Sequence, residues 1–177
     1  MKEETDFTSF ADLSTERLTL RQLKTTDENE IFFLRSDEVI NQFIDRPRQK
    51  ALEEARSFIT RINNEIMENK LLYWAITNKE NPKLIATICL WKFSENKKTA
   101  EVGYELNSAF QGKGIMDEAL KKIINFSFET LGLITLEAFT HKDNLKSKTL
   151  LIKNNFLPDI TRKDKDHPTN IIFILRK

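Results

Sequence analysis

Glycine and proline are scarce in this sequence, with four of each in 177 residues, and cysteine occurs once. Without repeated glycine or proline, collagen-like and low-complexity architectures are excluded, as is a Pro/Gly/Ser linker that would divide the chain. The single cysteine, Cys89, cannot form an internal disulfide, and it sits in the apolar run "LIATICLW". It reads as a small core hydrophobe and agrees with a reducing compartment. No apolar stretch approaches the roughly 18 residues of a membrane span, and the charged start "MKEETDFTSF" lacks the apolar run of a signal peptide. The expected location is cytoplasmic. Nor does one sign of charge prevail: 28 Lys and Arg oppose 27 Asp and Glu, a formal net charge of +1. Neither a nucleic acid nor a membrane surface is an expected partner.

What remains is the composition of one globular domain, 40% hydrophobic and 31% charged. Residues 1–14 read as a polar tail and residues 15–177 as the domain. Alternation predicts a strand over Arg17–Leu23. Thr26 or Asp27 then precedes acids suited to the first turn of a helix running to Leu34. Apolar residues at 51, 52, 55, 58, 59, 62 and 66 keep helical spacing. "LLYWAIT", "LIATICLWKF" and "TAEVGYEL" read as strands separated by the turns "NKENP" and "SENKK". A helix is predicted from about Gly112 to Thr130, a strand within "LGLITLEAFT", a helix from Asp143 or Asn144, and a final strand pair. Short turns make antiparallel neighbours and a strand–helix–strand crossover makes a parallel pair. The expected fold is α+β with three layers: a mixed, largely antiparallel sheet of about seven strands flanked by about four helices.

Given that scarcity, the placement of the glycines matters. Gly112 and Gly114 stand one residue apart at the start of the helix in "YELNSAFQGKGIMDEALKKIINF", with Gly103 upstream. A helix N-terminus presents unpaired N–H groups and partial positive charge, and glycine clears the approach for an anion. Lys113 adds a mobile charge. The pattern is not a P-loop, which needs glycine at 107 and a hydroxyl residue at 114, where Asn107 and Gly114 stand. Nor is it a dinucleotide fingerprint, because position 117 is Asp117. A tight turn serving only to start the helix is the alternative.

The pattern that does remain is Gln-x-x-Gly-x-(Gly/Ala), here "QGKGIM", Gln111 to Met116, between a strand and an amphipathic helix. Together with "AEVGYEL" and "NLKSKTLLIKNNF", it resembles the GNAT superfamily of N-acetyltransferases, in the branch that acetylates ribosomal-protein alanine or serine. The likeness spans Arg17 to Phe173. It implies an acetyl-CoA-dependent enzyme, without metal, that acts on a primary amine. The leading acceptor is a protein or peptide N-terminal amine, and the rivals are polyamines or other small amines, antibiotics included. It further implies that Gln111, Gly112, Lys113, Gly114, Ile115 and Met116 hold the cofactor pyrophosphate. Leu106 would offer backbone groups to the pantetheine arm, and Asn144 would orient the pantetheine or the reacting carbonyl. Gly103 would mark a bulge that parts two strands.

Attack of an amine on a thioester needs a neutral amine and a stabilised thiolate. Neutralising a lysine-like amine at pH 7 costs about 4.6 kcal/mol, whereas an α-amine costs about 1 kcal/mol. An N-terminal acceptor therefore needs only a modest base. Glu101, in "AEVGY", matches the glutamate of this branch and is assigned as general base or water-positioning residue; a salt-bridged strand carboxylate is the alternative. Glu105 is either an acceptor-binding acid or surface. Ser147, on one helix face with Asn144, would donate to the developing thiolate. Asn144 also fits an N-cap, and the two roles are compatible.

Three residues depart from the family pattern. Leu151 replaces a common tyrosine acid, Met116 replaces the small last residue of the loop, and Asn155 replaces a helix-ending glycine. Leu151 and Met116 motivate a second class of function, a non-catalytic acetyl-CoA-binding module. Tyr73, Trp74 and Trp91 are expected to pack the sheet, and His141 and His167 are too far apart in sequence, without an acid cluster, to suggest a metal site. The acceptor is expected to meet residues 43–58 and the turn at 164–169. A monomer or a homodimer is equally compatible with the sequence.

Overall fold

In the computed structural model, which describes Phe10 and Asp12–Lys177, one twisted sheet carries every strand. The strands are β1 (Leu13–Ser14), β2 (Leu18–Arg21), β3 (Leu72–Asn78), β4 (Asn81–Trp91), β5 (Thr99–Leu106), β6 (Thr135–His141), β7 (Leu157–Pro158) and β8 (Asn170–Arg176). Their spatial order is β1-β2-β3-β4-β5-β6-β8-β7, and every neighbouring pair is antiparallel except β5 with β6. The helices are α1 (Glu28–Ser36), α2 (Leu52–Met67), α3 (Ile115–Asn125) and α4 (Leu145–Lys153). The expected mixed sheet with four helices is thus found. Its eighth strand is the two-residue β1, whose Leu13 and Ser14 face Leu20 and Thr19. The rest of the anticipated tail, residues 1–9 and 11, lies outside the described residues.

Two connections run otherwise than a simple strand–helix–strand crossover. β2 and β3 are joined through helices yet pair antiparallel, because two helices in succession return the chain to the end of the sheet from which it left. β6 and β7 are joined through α4 but do not pair; β8 inserts between them, matching Ala138 to Phe173 on one side and Pro158 to Phe173 on the other. The predicted helix to Thr130 also changes character. After Asn125 it widens into one π-helical turn, Phe126–Thr130, which stops before Gly132 at φ +66°.

Each sheet face has its own core. On one, Leu18, Leu20, Trp74, Ile88, Val102 and Leu136 pack beneath α3 and α4, joined by Ile115, Ala119, Leu120, Ile123 and Leu151. On the other, Tyr73, Ala75 and Leu84 meet α1 and α2 through Ile31, Leu34, Ala55, Phe58, Ile59, Ile62 and Ile66. The apolar stripes read at helical spacing are these two contact faces. Asp27 does stand at the N-terminus of α1, but its carboxylate turns away from the helix. It accepts from the Lys24 amide at 2.8 Å and from both terminal nitrogens of the buried Arg21, at 2.7 and 2.8 Å.

Candidate active site

The one parallel pair of the sheet is incomplete. β5 and β6 match only at Thr99–Thr135, Ala100–Leu136 and Glu101–Glu137. Beyond Glu101, β5 keeps its partnership with β4 as far as Leu106–Ala86, while β6 keeps its own with β8 as far as His141–Asn170. Val102–Leu106 and Ala138–His141 are therefore two arms of a fork with Glu101 at its vertex. Such arms leave backbone groups unmatched within the sheet and free to pair with an amide-bearing chain laid between them.

The expected bulge at Gly103 is absent. The β4–β5 register runs unbroken through Cys89–Gly103, and the parting occurs on the other side of β5. Glycine eases a close approach there instead: an added Cβ would come within 3.2 Å of the Cys89 sulfur, with the Trp91 indole nitrogen at 3.9 Å. Regular alternation puts Glu101, Gly103 and Glu105 on the α1–α2 face and Val102, Tyr104 and Leu106 on the α3–α4 face.

The glycine loop follows directly. A turn of 3-10 helix, Ser108–Phe110, is capped by the Asn107 side chain and leads to Gln111. Gly112 and Gly114 both have φ +73°, the left-handed region in which a Cβ is strained. The backbone N–H groups of Gly112 through Asp117 have no acceptor among the described residues; the next amide, of Glu118, bonds back to the Gly114 carbonyl. The space where a Gly112 side chain would begin is open, with nothing within 4 Å. Met116 does not crowd this cup, because its side chain is buried in the α3 core.

Distant residues pin the loop in place. Arg17 donates to the Lys113 carbonyl at 3.0 Å and to Glu118 at 2.6 Å, and Thr15 donates to the same carboxylate at 2.6 Å. Burial alone would raise the Glu118 carboxyl, but these donors hold it below its ordinary value. Asp117 joins α3 to the end of α4 by accepting from Lys121, Lys153 and Asn154, each at 2.9 Å. Against the opposing effect of burial, those partners bring it down to about 2. Gln111 donates to the Leu106 carbonyl at 3.5 Å and accepts from Lys146 at 2.6 Å. It thus links the loop, the tip of β5 and α4.

Asn144 and Ser147 do share the first turn of α4. Asn144 is the N-cap, accepting from the Ser147 amide at 3.1 Å. The Ser147 hydroxyl lies 2.8 Å from the hydroxyl of Tyr104, on the β5 arm. Burial pushes the Tyr104 phenol up to about 12, against the opposing hydrogen bond. Tyr104 was not foreseen, although strand alternation away from Glu101 and Glu105 could have placed it opposite α4. Leu151 is fully buried, so no proton donor can be presented from that position. Asn155 adopts φ +65° just after α4, as its replacement of a helix-ending glycine requires.

The two carboxylates on the other face differ in their surroundings. Glu105 is held by Arg46, through contacts of 2.5 and 2.7 Å, in an ion pair more than four-fifths buried. Glu101 sits at the vertex, nearly buried, with the Lys92 ammonium 3.1 Å away. Desolvation raises its carboxyl above the ordinary value, Lys92 works against that, and Asp164 and Glu137 reinforce it.

Both segments expected to meet the acceptor come together here. The α1–α2 connection bonds to the β5 arm through Arg46, stacks Phe43 on His141 of the β6 arm at 5.4 Å, and brings Asp45 within 3.2 Å of His167. Among the described residues no cluster of three or more His, Cys, Asp or Glu is placed to hold a metal. Among the same residues no helix is long and apolar enough to cross a membrane. Burial raises the Cys89 thiol to about 12, which suits a packing residue and not a nucleophile.

A cup of unmatched amides at a helix start, opening beside a forked parallel strand pair, suits a ligand with a phosphate group and an amide-bearing arm. Residues 17–157 match the acetyltransferase (GNAT) domain, and the chain belongs to this family. Among its relatives, N-acetyltransferase YoaA of Bacillus subtilis is 29% identical over 147 residues, 83% of each chain. N-acetyltransferase p20 of Bacillus licheniformis is 31% identical over 144 residues, 81% of each. Among solved structures, RimL, a ribosomal L7/L12 alpha-N-protein acetyltransferase in complex with coenzyme A, superposes with a TM-score of 0.78. That match covers 94% of this chain and 98% of RimL at 16% identity, a likeness of fold.

Proposed function

We propose that this enzyme transfers the acetyl group of acetyl-CoA to the α-amine at a protein or peptide N-terminus, by direct attack on the thioester. The observation that carries the reading is the run of unmatched amides from Gly112 to Asp117 beside the β5–β6 fork. A diphosphate would satisfy several of those donors at once, with Lys113 as a mobile counter-charge and Gln111 at the rim. Ile115 and Met116 contribute backbone N–H groups only, since both side chains are buried. The pantetheine amides would then follow the β5 arm, where Leu106 lies nearest the loop. RimL supports both the donor and the acceptor class, being an alpha-N-protein acetyltransferase with bound coenzyme A.

Glu101 is the base. Its position at the vertex keeps it from water, and a raised carboxyl is a better proton acceptor near neutral pH. The proton passes from the acceptor's ammonium to Glu101, directly or through one water, and the freed amine attacks the carbonyl carbon. On the opposite face Ser147 supplies the hydrogen bond to the departing thiolate, with Tyr104 fixing the orientation of its hydroxyl. Asn144 caps α4 and so sets where that hydroxyl sits. We place residues 15–177 in one domain, working in the cytoplasm as a monomer or homodimer.

Coenzyme A should raise the melting temperature of the protein, and free thiol should appear with acetyl-CoA and an N-terminal peptide. Turnover on spermidine alone would remove the N-terminal reading; binding without turnover on any amine would leave a non-catalytic module. Ser147→Ala and Tyr104→Phe should each lower kcat about tenfold while leaving the KM for acetyl-CoA nearly unchanged. The double variant should lose little more than either single one, because the hydroxyls act as a unit. Acyl donors with a more acidic leaving thiol should narrow all three deficits.

A further inference from the structure

The carboxylate at the vertex already has an ammonium beside it. Lys92, the residue after β4, has φ +48°, a left-handed conformation that costs a non-glycine residue energy. Its side chain is 57% exposed, yet the ammonium folds back to 3.1 Å from Glu101. There it also lies 4.4 Å from the centre of the Trp91 ring and 5.6 Å from that of Phe139. The rings come from different strands. Trp91 is the β4 partner of Glu101 and leans over Gly103, and Phe139 belongs to the β6 arm, two residues past Glu137. One carboxylate and two aromatic rings thus lie about a primary ammonium at the vertex of the fork. Aromatic rings near a cation attract it through their negative faces. Glu137 and Asp164 add negative charge nearby, although Arg162 partly offsets Glu137 at 2.7 Å.

We propose that Glu101, Trp91 and Phe139 form the acceptor's ammonium subsite, and that Lys92 is a resident stand-in which the substrate displaces. The proposal rests on the acetyl-transfer reading and names the ligand class: a primary ammonium, small enough at its charged end to sit against a carboxylate and two rings. Among the described residues Lys92 has no other side-chain partner, and its exposed stem lets it swing into water when a substrate ammonium arrives. Its own ammonium marks the geometry that the substrate adopts before losing a proton to Glu101. Lys92 therefore competes with substrate, and removing it strengthens substrate binding.

The test uses the whole chain and n-butylammonium chloride as probe, with sodium chloride at equal ionic strength as control. Two indole N–H signals are present, because the sequence has two tryptophans; the one lost in Trp91→Phe reports the cage, and buried Trp74 is the internal reference. The Trp91 signal should shift saturably with butylammonium and not with sodium. In Lys92→Met the midpoint should fall about three- to tenfold, and the KM for a peptide amine should fall by a similar factor with the KM for acetyl-CoA unchanged. Lys92→Gly, which suits the backbone conformation at this position, should behave alike if the methionine variant folds poorly. An unmoved Trp91 signal, or a midpoint unchanged or raised in both variants, overturns the proposal. The titration needs no acetyl-CoA. Coenzyme A binding with a silent Trp91 would refute the cage and leave acetyl transfer standing, whereas a responsive Trp91 without coenzyme A binding would do the reverse.

Discussion

Glu101→Gln should lower kcat/KM for a peptide amine by about a hundredfold at pH 7, near the lower end of the range for a lost general base. The lower end is expected because an α-amine is already partly neutral at that pH, so the base supplies little of the deprotonation energy. In the parent enzyme, activity should climb with pH through a limb set by the Glu101 carboxyl, which burial places above the ordinary value. The glutamine variant should lose that limb and keep only the one set by the acceptor's own amine. Stability should move the opposite way. Glu101 holds its proton more tightly folded than unfolded, so between the two pKa values the folded state binds more protons and stability falls as pH rises. Glutamine does not titrate. Urea unfolding should find the variant gaining on the parent as pH rises through that window and keeping the gain at neutral pH. A variant equally active, or one that loses stability relative to the parent over the same interval, would remove Glu101 from the base role.

Gly112→Val should abolish measurable coenzyme A binding while leaving a folded protein. The first atom of the new side chain enters open space, so nothing in the protein resists it sterically. The backbone does resist, since φ +73° costs an L-residue about 1–2 kcal/mol. The larger effect lies in the cup. A branched side chain over the unmatched amides would deny a diphosphate two or more charge-assisted hydrogen bonds, each of about 1.5–3 kcal/mol. Affinity should fall at least a hundredfold. Isothermal titration with coenzyme A, set against urea unfolding, separates the two terms. Undiminished affinity would place the diphosphate elsewhere.

Much of this arrangement was legible in the residues because it is local. The loop, its glycines and the following helix are contiguous, and the amide cup follows from chain geometry alone. Strand alternation puts Glu101 and Glu105 on one face only if no bulge intervenes, and the unbroken register meets that condition. It could not tell that Arg46, 59 positions away, would fix one of them in an ion pair while the other stays beside Lys92. The difference depends on how the α1–α2 connection crosses the sheet, and nothing in the periodicity of that segment encodes it. The Tyr104–Ser147 pair was hidden for the same reason: it joins a strand to a helix 43 positions on. Gly103 illustrates a subtler failure. A glycine in a strand suggests a bulge, but its reason here is the Cys89 sulfur on the neighbouring strand. The parting of β5 from β6 arises from each arm keeping its outer partner.

The two separate cores, one on each side of the sheet, have an evolutionary consequence. On the proposed reading, donor handling draws on α3 and α4, whereas one of the segments assigned to the acceptor, the α1–α2 connection, hangs from the other core. If that reading holds, mutational drift in the second core can reshape which amines are accepted without disturbing how the thioester is gripped. A lineage built on this plan can diversify its targets while its currency of acyl donation stays constant.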